Sequence, residues 1–112
     1  MVRTILLAAV ASALSIAAPA AARNFSIING TGASLRDIAA RPVGTADWVT
    51  LAPGLSPGAR TTVTVDGDPC AYDLKAKLAA DRNAEWSGVN FCETKSVTLN
   101  RRDDGVLWVD YD

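Results

Sequence analysis

Few side chains in this sequence are equipped for chemistry, and what is missing narrows the field. There is no histidine, which removes Ser-His-Asp and Cys-His nucleophile systems and the commonest ligand of zinc and copper. The thiols number two, Cys70 and Cys92. Acidic pairs occur at Asp66 and Asp68, flanking Gly67, and at Asp103-Asp104. Calcium takes about six to eight oxygens, and "DGD" is only a fragment of a binding loop, without its closing Glu. Asp-Gly is more simply a turn, because glycine supplies positive φ. No metal ligand and no cofactor is therefore expected. The stretch "NGTG", residues 29–32, has neither the spacing nor the following helix of a phosphate loop. A carboxylate pair can hydrolyse a glycoside, but a sheet domain this small rarely encloses the necessary cleft. The chain reads as a non-enzyme.

Binding is a different matter, because the sequence has three tryptophans, Trp48, Trp86 and Trp108. Exposed indoles stack on sugars or anchor protein partners, whereas buried ones fill a core. Trp86 shares the alternation of Tyr72 and Leu74 and is expected in the core. Trp48, which follows a loop, and Trp108, which falls on the polar face of its strand, are the candidate ligand-binding residues.

Whatever positions these groups is small and exported. The N-terminus, "MVRTILLAAVASALSIAAPAAAR", has one charge at Arg3, an apolar run over 5–18, Pro19, and then Ala20 and Ala22 at the −3 and −1 positions of a cleavage site. That order is a secretory signal peptide over residues 1–22. Pro19 and the alanine-rich run argue against a retained membrane anchor, so no membrane embedding is expected after cleavage. The absence of a cysteine near the cleavage site argues against a lipoprotein, and the absence of an Arg-Arg pair ahead of the apolar run against twin-arginine export. Residues 23–112 then form a single domain of 90 residues, with ten Lys and Arg against twelve acids. With no basic patch, nucleic acid is a poor partner. A core this small usually needs a staple. Outside the cytoplasm, Cys70 and Cys92 are expected to pair, at roughly 3 kcal/mol of stabilisation.

The exported part shows no sustained helical period. Short alternating runs predict strands over 24–29, 35–40, 48–51, 61–65, 70–78, 84–92, 96–100 and 106–111, broken by Gly, Pro, Asn and Asp. Seven to eight such strands with one disulfide imply an all-β, small antiparallel sandwich or open barrel. From 70 to 78, Cys70, Tyr72, Leu74, Ala76 and Leu78 alternate with Ala71, Asp73, Lys75 and Lys77. Placing Cys70 opposite Cys92 sets a hairpin register in which Ala76 meets Trp86, Leu74 meets Gly88 and Lys77 meets Glu85. At the C-terminus, pairing Asn100 with Val106 across "RRDDG" puts Val97, Leu99, Leu107 and Val109 on one face and Thr98 and Trp108 on the other.

Three segments, "FSIINGTGASL", "CAYDLKAKL" and "VNFCETKSVTL", resemble a group of small secreted bacterial all-β proteins of unknown function. Their pattern opens F-x-x-x-N-x-T-G and later places two cysteines around a Tyr/Phe-Asp-Leu strand. The resemblance spans nearly all of the exported part and implies export, an all-β fold and a disulfide, with no activity to carry over. One departure is "AADRNAEWSG", which lacks the expected Asp-Gly turn. The triplets Asn24-Phe25-Ser26 and Asn29-Gly30-Thr31 have the form of glycan acceptors, but the bacterial resemblance sets that reading aside.

Together these features describe an exported, non-enzymatic structural or interaction module, secreted or periplasmic, with an envelope protein or a glycan as partner. The alternatives are a carbohydrate- or protein-binding module using a surface tryptophan, and a secreted inhibitor-like protein. Mass spectrometry of the exported protein should show a chain beginning at Arg23. Recovery of only the full-length chain, in membranes, would overturn the signal reading.

Overall fold

The computed structural model describes residues 22–112, so all but the last residue of the expected signal segment lies outside the described residues. Each expected strand forms: β1 (Arg23–Gly30), β2 (Leu35–Pro42), β3 (Val49–Leu55), β4 (Arg60–Val65), β5 (Ala71–Lys77), β6 (Asn83–Asn90), β7 (Ser96–Arg101) and β8 (Leu107–Tyr111). They make two four-stranded sheets, ordered β4-β1-β7-β8 and β3-β2-β5-β6. The sheets stack as a sandwich and do not close into a barrel. All pairings are antiparallel except one. β1 and β7 run parallel, with Ser26 opposite Ser96 and Gly30 opposite Asn100. Among the described residues, no helix is long and apolar enough to cross a membrane.

Alternation explains the core. Phe25 and Ile27 of β1, Val63 and Val65 of β4 and Val97 and Leu99 of β7 point inward from one sheet. Ile38, Tyr72, Leu74, Trp86 and Val89 meet them from the other. Phe91 sits at the middle of an aromatic group, 4.5 Å from the Phe25 ring centroid and 5.4 Å from that of Tyr72. Burying each such side chain contributes about 1.5–3 kcal/mol.

The disulfide joins Cys70 and Cys92 with their Cα atoms 5.0 Å apart, beside the β5–β6 hairpin. The register that follows differs from the expected one. Leu74 lies opposite Trp86, Lys75 opposite Glu85 and Ala76 opposite Ala84. Lys77 instead faces Asn83 and has Asp37 as its ion partner at 3.7 Å. Two single-residue offsets account for the change. Asn90 turns the chain at Cys92 by accepting its N–H through Oδ1 at 2.7 Å. A bulge then sets Ser87 and Gly88 against Asp73 alone, and Gly88 has the φ of 65° that such a bend requires. Asp73, expected among solvated groups, is 7% exposed. It accepts the Gly88 N–H at 3.0 Å and Arg41 Nε at 3.1 Å. In place of an Asp-Gly turn, the hairpin closes through a 3-10 turn at Ala79–Asp81, with Ala80 in the left-handed region at φ 62°.

The C-terminal hairpin is also displaced by two residues, pairing Asn100 with Trp108 and Leu99 with Val109. The expected faces survive, because a two-residue slip leaves every side chain on its own side of the sheet. Val97 and Leu99 are fully buried, with Leu107 and Val109 packed against them.

One buried polar residue ties the sheets together. Asn29, at the end of β1, has no exposed surface. Its Nδ2 donates to the carbonyls of Ala33 (2.7 Å) and Leu55 (2.9 Å), and its Oδ1 accepts the Thr31 N–H (3.0 Å) and hydroxyl (2.7 Å). Both amide hydrogens being occupied, the Asn29 triplet is a structural knot and not an acceptor site. Next to it, a Cβ on Gly30 would collide with Thr98 and Asn100 of the parallel strand.

Asn29→Ala should destabilise the protein by about 2–4 kcal/mol in urea titration, because two carbonyls lose their donor at roughly 1–3 kcal/mol each. A change below about 1 kcal/mol would mean that water replaces the amide. Cys70→Ser should cost about 2–5 kcal/mol; an unchanged midpoint would deny the bond a structural role.

Candidate functional site

The tryptophans occupy three different environments. Trp86 is in the core at 2% exposure, its indole N–H donating to the Asn100 carbonyl at 3.0 Å. Trp48 precedes β3 on the outer face of the β3-β2-β5-β6 sheet, where two cations lie over its ring. The Arg41 guanidinium carbon is 4.5 Å and Lys75 Nζ 4.1 Å from the ring centroid. Such contacts contribute about 0.5–1 kcal/mol at exposed sites and more where water is excluded. Arg41 also reaches Asp73 and, at 3.7 Å, Glu85. Trp48 thus caps an internal charge network running from its ring through Arg41 to the Asp73 carboxylate and the β6 bulge.

Beside Trp48, a furrow of about 550 Å3 crosses that face between Thr50, Lys75, Lys77, Asn83 and Glu85. Ala39, small and paired with Lys75, forms its floor. Lys77 pairs with Asp37 and Glu85 with Arg41, while Lys75 lies over the Trp48 ring. A ligand there must compete with the protein's own ion pairs.

Trp108 is arranged differently. Its side chain projects from the outer face of the β4-β1-β7-β8 sheet and stays 41% exposed. This face is polar and nearly neutral. Thr64, Asn24, Thr62, Ser26, Ser96 and Thr98 occupy it in register, with half-buried Ile28 among them. Asn100 lies directly across from Trp108 and donates to Asp110 Oδ2 at 2.9 Å. Trp108 lines two hollows. One, about 470 Å3, lies against Arg101, Arg102, Asp103 and Asp104 of the β7–β8 loop; the other, about 400 Å3, lies toward Glu85, Ser87 and Tyr111.

The loop is held from within. Asp104 accepts the Val106 N–H at 3.0 Å and takes Arg102 at 3.4 Å, an exposed pair worth little by itself. Among the described residues, Arg101 and Asp103 have no side-chain hydrogen bond or ion pair. An exposed indole and the charged residues of the β7–β8 loop thus line one open hollow. An apolar ring face beside such donors and acceptors suits a ligand that is flat on one side and hydroxylated at its rim.

The acidic turn between β4 and β5 has a partner of its own. Gly67 has φ 100°, as a turn glycine should. Arg23 Nη2 donates to the carbonyls of Gly67 (3.1 Å) and Pro69 (2.7 Å), and Nη1 lies 3.2 Å from Cys92 Sγ. A guanidinium therefore sits where a calcium ion would need those carbonyls. Among the described residues, no three acids or cysteines converge as a metal site.

Sequence reasoning singled out Trp108 and Trp48 but not Asn100, which lies across from the indole only because the register brings it there, nor the part of the β7–β8 loop in the hollow beside it. It also grouped Asp73 with Lys75 and Lys77 on the solvent side of β5 and so missed its burial, which the β6 bulge and Arg41 create.

Neither a protein-family profile nor any curated protein sequence matches the chain. A solved structure is similar: the NMR structure of a protein from Eubacterium rectale, with a TM-score of 0.57 at 13% identity over 80% of this chain and 87% of that one. At that identity the likeness concerns the fold.

Proposed function

We propose that this protein is an exported, non-enzymatic β-sandwich module that binds a neutral glycan through Trp108, in the periplasm or outside the cell. The observation that carries this reading is the pairing of a 41% exposed indole with polar groups on one hollow. Sugars present an apolar C–H face to an aromatic ring and a fringe of hydroxyls to neighbouring donors and acceptors. The Asn100–Asp110 pair across from the indole and the charged β7–β8 loop that lines the hollow offer donors and acceptors to that fringe, and the Ser/Thr/Asn face beyond them extends the contact without a net charge to repel it. Trp48, by contrast, has its ring engaged by Arg41 and Lys75, so it serves the fold. Export rests on the N-terminal charge, apolar run and Ala-x-Ala order, and the Cys70–Cys92 bond is compatible with an oxidising compartment.

Affinity electrophoresis through gels containing soluble neutral polysaccharides tests the reading. At least one glycan should retard the protein, and Trp108→Ala should weaken that retardation about tenfold or more, about 1.4 kcal/mol. Its melting temperature should be nearly unchanged. Equal mobility of both proteins across a panel of β-glucans, mannans and xylans would overturn the glycan reading.

A further inference from the structure

On the opposite margin of the sandwich the two sheets leave a seam unfilled. β3 and β4 are edge strands of different sheets, joined by residues 56–59. Away from that connection, a gap of about 180 Å3 lies between them, lined by Ala40, Val49, Leu51, Val65 and Tyr72. Leu51, Val65 and Tyr72 belong to the core or pack against it, so the gap continues the hydrophobic interior to the surface. Val49 pairs with buried Ala40 yet remains 59% exposed. It shares the inward-facing side of the sheet, and nothing covers it.

Size decides what fits. Small-molecule sites usually occupy roughly 300–1,000 Å3, more than this gap provides. An apolar cavity of about 150 Å3 takes a benzene ring. The gap therefore matches one bulky apolar side chain. Its rim adds a second requirement. Asp47 and Asp66 also line it, and among the described residues neither is paired with a cation. An apolar socket beside two uncompensated carboxylates favours a bulky residue accompanied by Lys or Arg.

The backbone supplies the third element. β3 carries Pro53, which blunts its edge, whereas β4 has no proline and no strand on its outer side. An extended chain can pair along β4, and alternate side chains would then point into the seam. We propose that the β3–β4 seam docks an extended basic segment of a partner protein, with one Phe, Leu or Ile in the gap and an adjacent Lys or Arg facing Asp47 and Asp66. This site is separate from the Trp108 surface and does not depend on glycan binding.

A positional-scanning library of N-acetylated, C-amidated hexapeptides, read by fluorescence polarisation against the purified protein, tests it. Binding should select Phe, Leu or Ile at one position and Lys or Arg within two residues of it. The selected peptide should shift the amide resonances of Val49, Leu51, Thr64 and Val65. Its affinity should fall at least tenfold in the Asp47→Asn/Asp66→Asn double variant, whose exposed changes leave the core intact, and in about 0.5 M salt. Val49→Lys should abolish binding, whereas Trp108→Ala should leave it unchanged. No selection above background, selection of acidic residues, or equal affinity in the double variant would each overturn the proposal.

Discussion

The side chain of Asn29 is the constraint on which the rest of the sandwich leans. Its backbone is also committed, the N–H to Ala59 and the carbonyl to the Gly58 N–H. One residue thus reaches β1, the β1–β2 turn, the end of β3 and the approach to β4. An amide so fully satisfied behaves as covalent bracing would, fixing where one sheet ends relative to the other, whereas apolar contacts alone tolerate sliding. The close packing of Gly30 on β7 follows from it. So does the spacing of the opening motif: Phe25 and Asn29 lie four residues apart on the same strand face, one packed at a tilt against Phe91 and the other holding the turn.

Much of this was legible in the sequence. Period-two alternation located every strand and assigned Val97, Leu99, Trp86 and Trp108 to their proper faces. Alternation fixes a side but not a partner, and both hairpins accordingly slipped by an even number of residues. The disulfide suggested a single register, which the Asn90 turn and the Gly88 bulge divide into two steps. The parallel pairing of β1 with β7 left no local mark, because it depends on where the chain returns and not on what the strand contains. The indole at 108 could be nominated from its face alone. Its polar neighbours could not, since they belong to a loop and an opposing strand whose alignment emerges only on folding.

Charge is used inward as much as outward. Arg23 closes the β4–β5 loop against the disulfide, and Arg41 joins Trp48 to the buried Asp73. These charged groups are engaged within the fold. The two surfaces proposed for partners, beside Trp108 and at the β3–β4 seam, are bordered by Asp103 and by Asp47 and Asp66, which have no ion pair among the described residues. They lie on different edges, so occupation of one need not obstruct the other.

The parallel contact between the first strand and the seventh joins residues 70 positions apart, Ser26 to Ser96, a non-local pairing of the kind that slows folding. β1 lies between β4 and β7, so its inner edge stays open until the chain through Arg101 is available. Seventy-one residues, 31–101, separate the end of β1 from the end of the strand that covers this edge. Until then the chain can close only the β1–β4 pair and the β3-β2-β5-β6 sheet. Only β8 then remains to pair, on the outer side of β7, and loss of the two C-terminal strands would leave β1 with an unpaired edge.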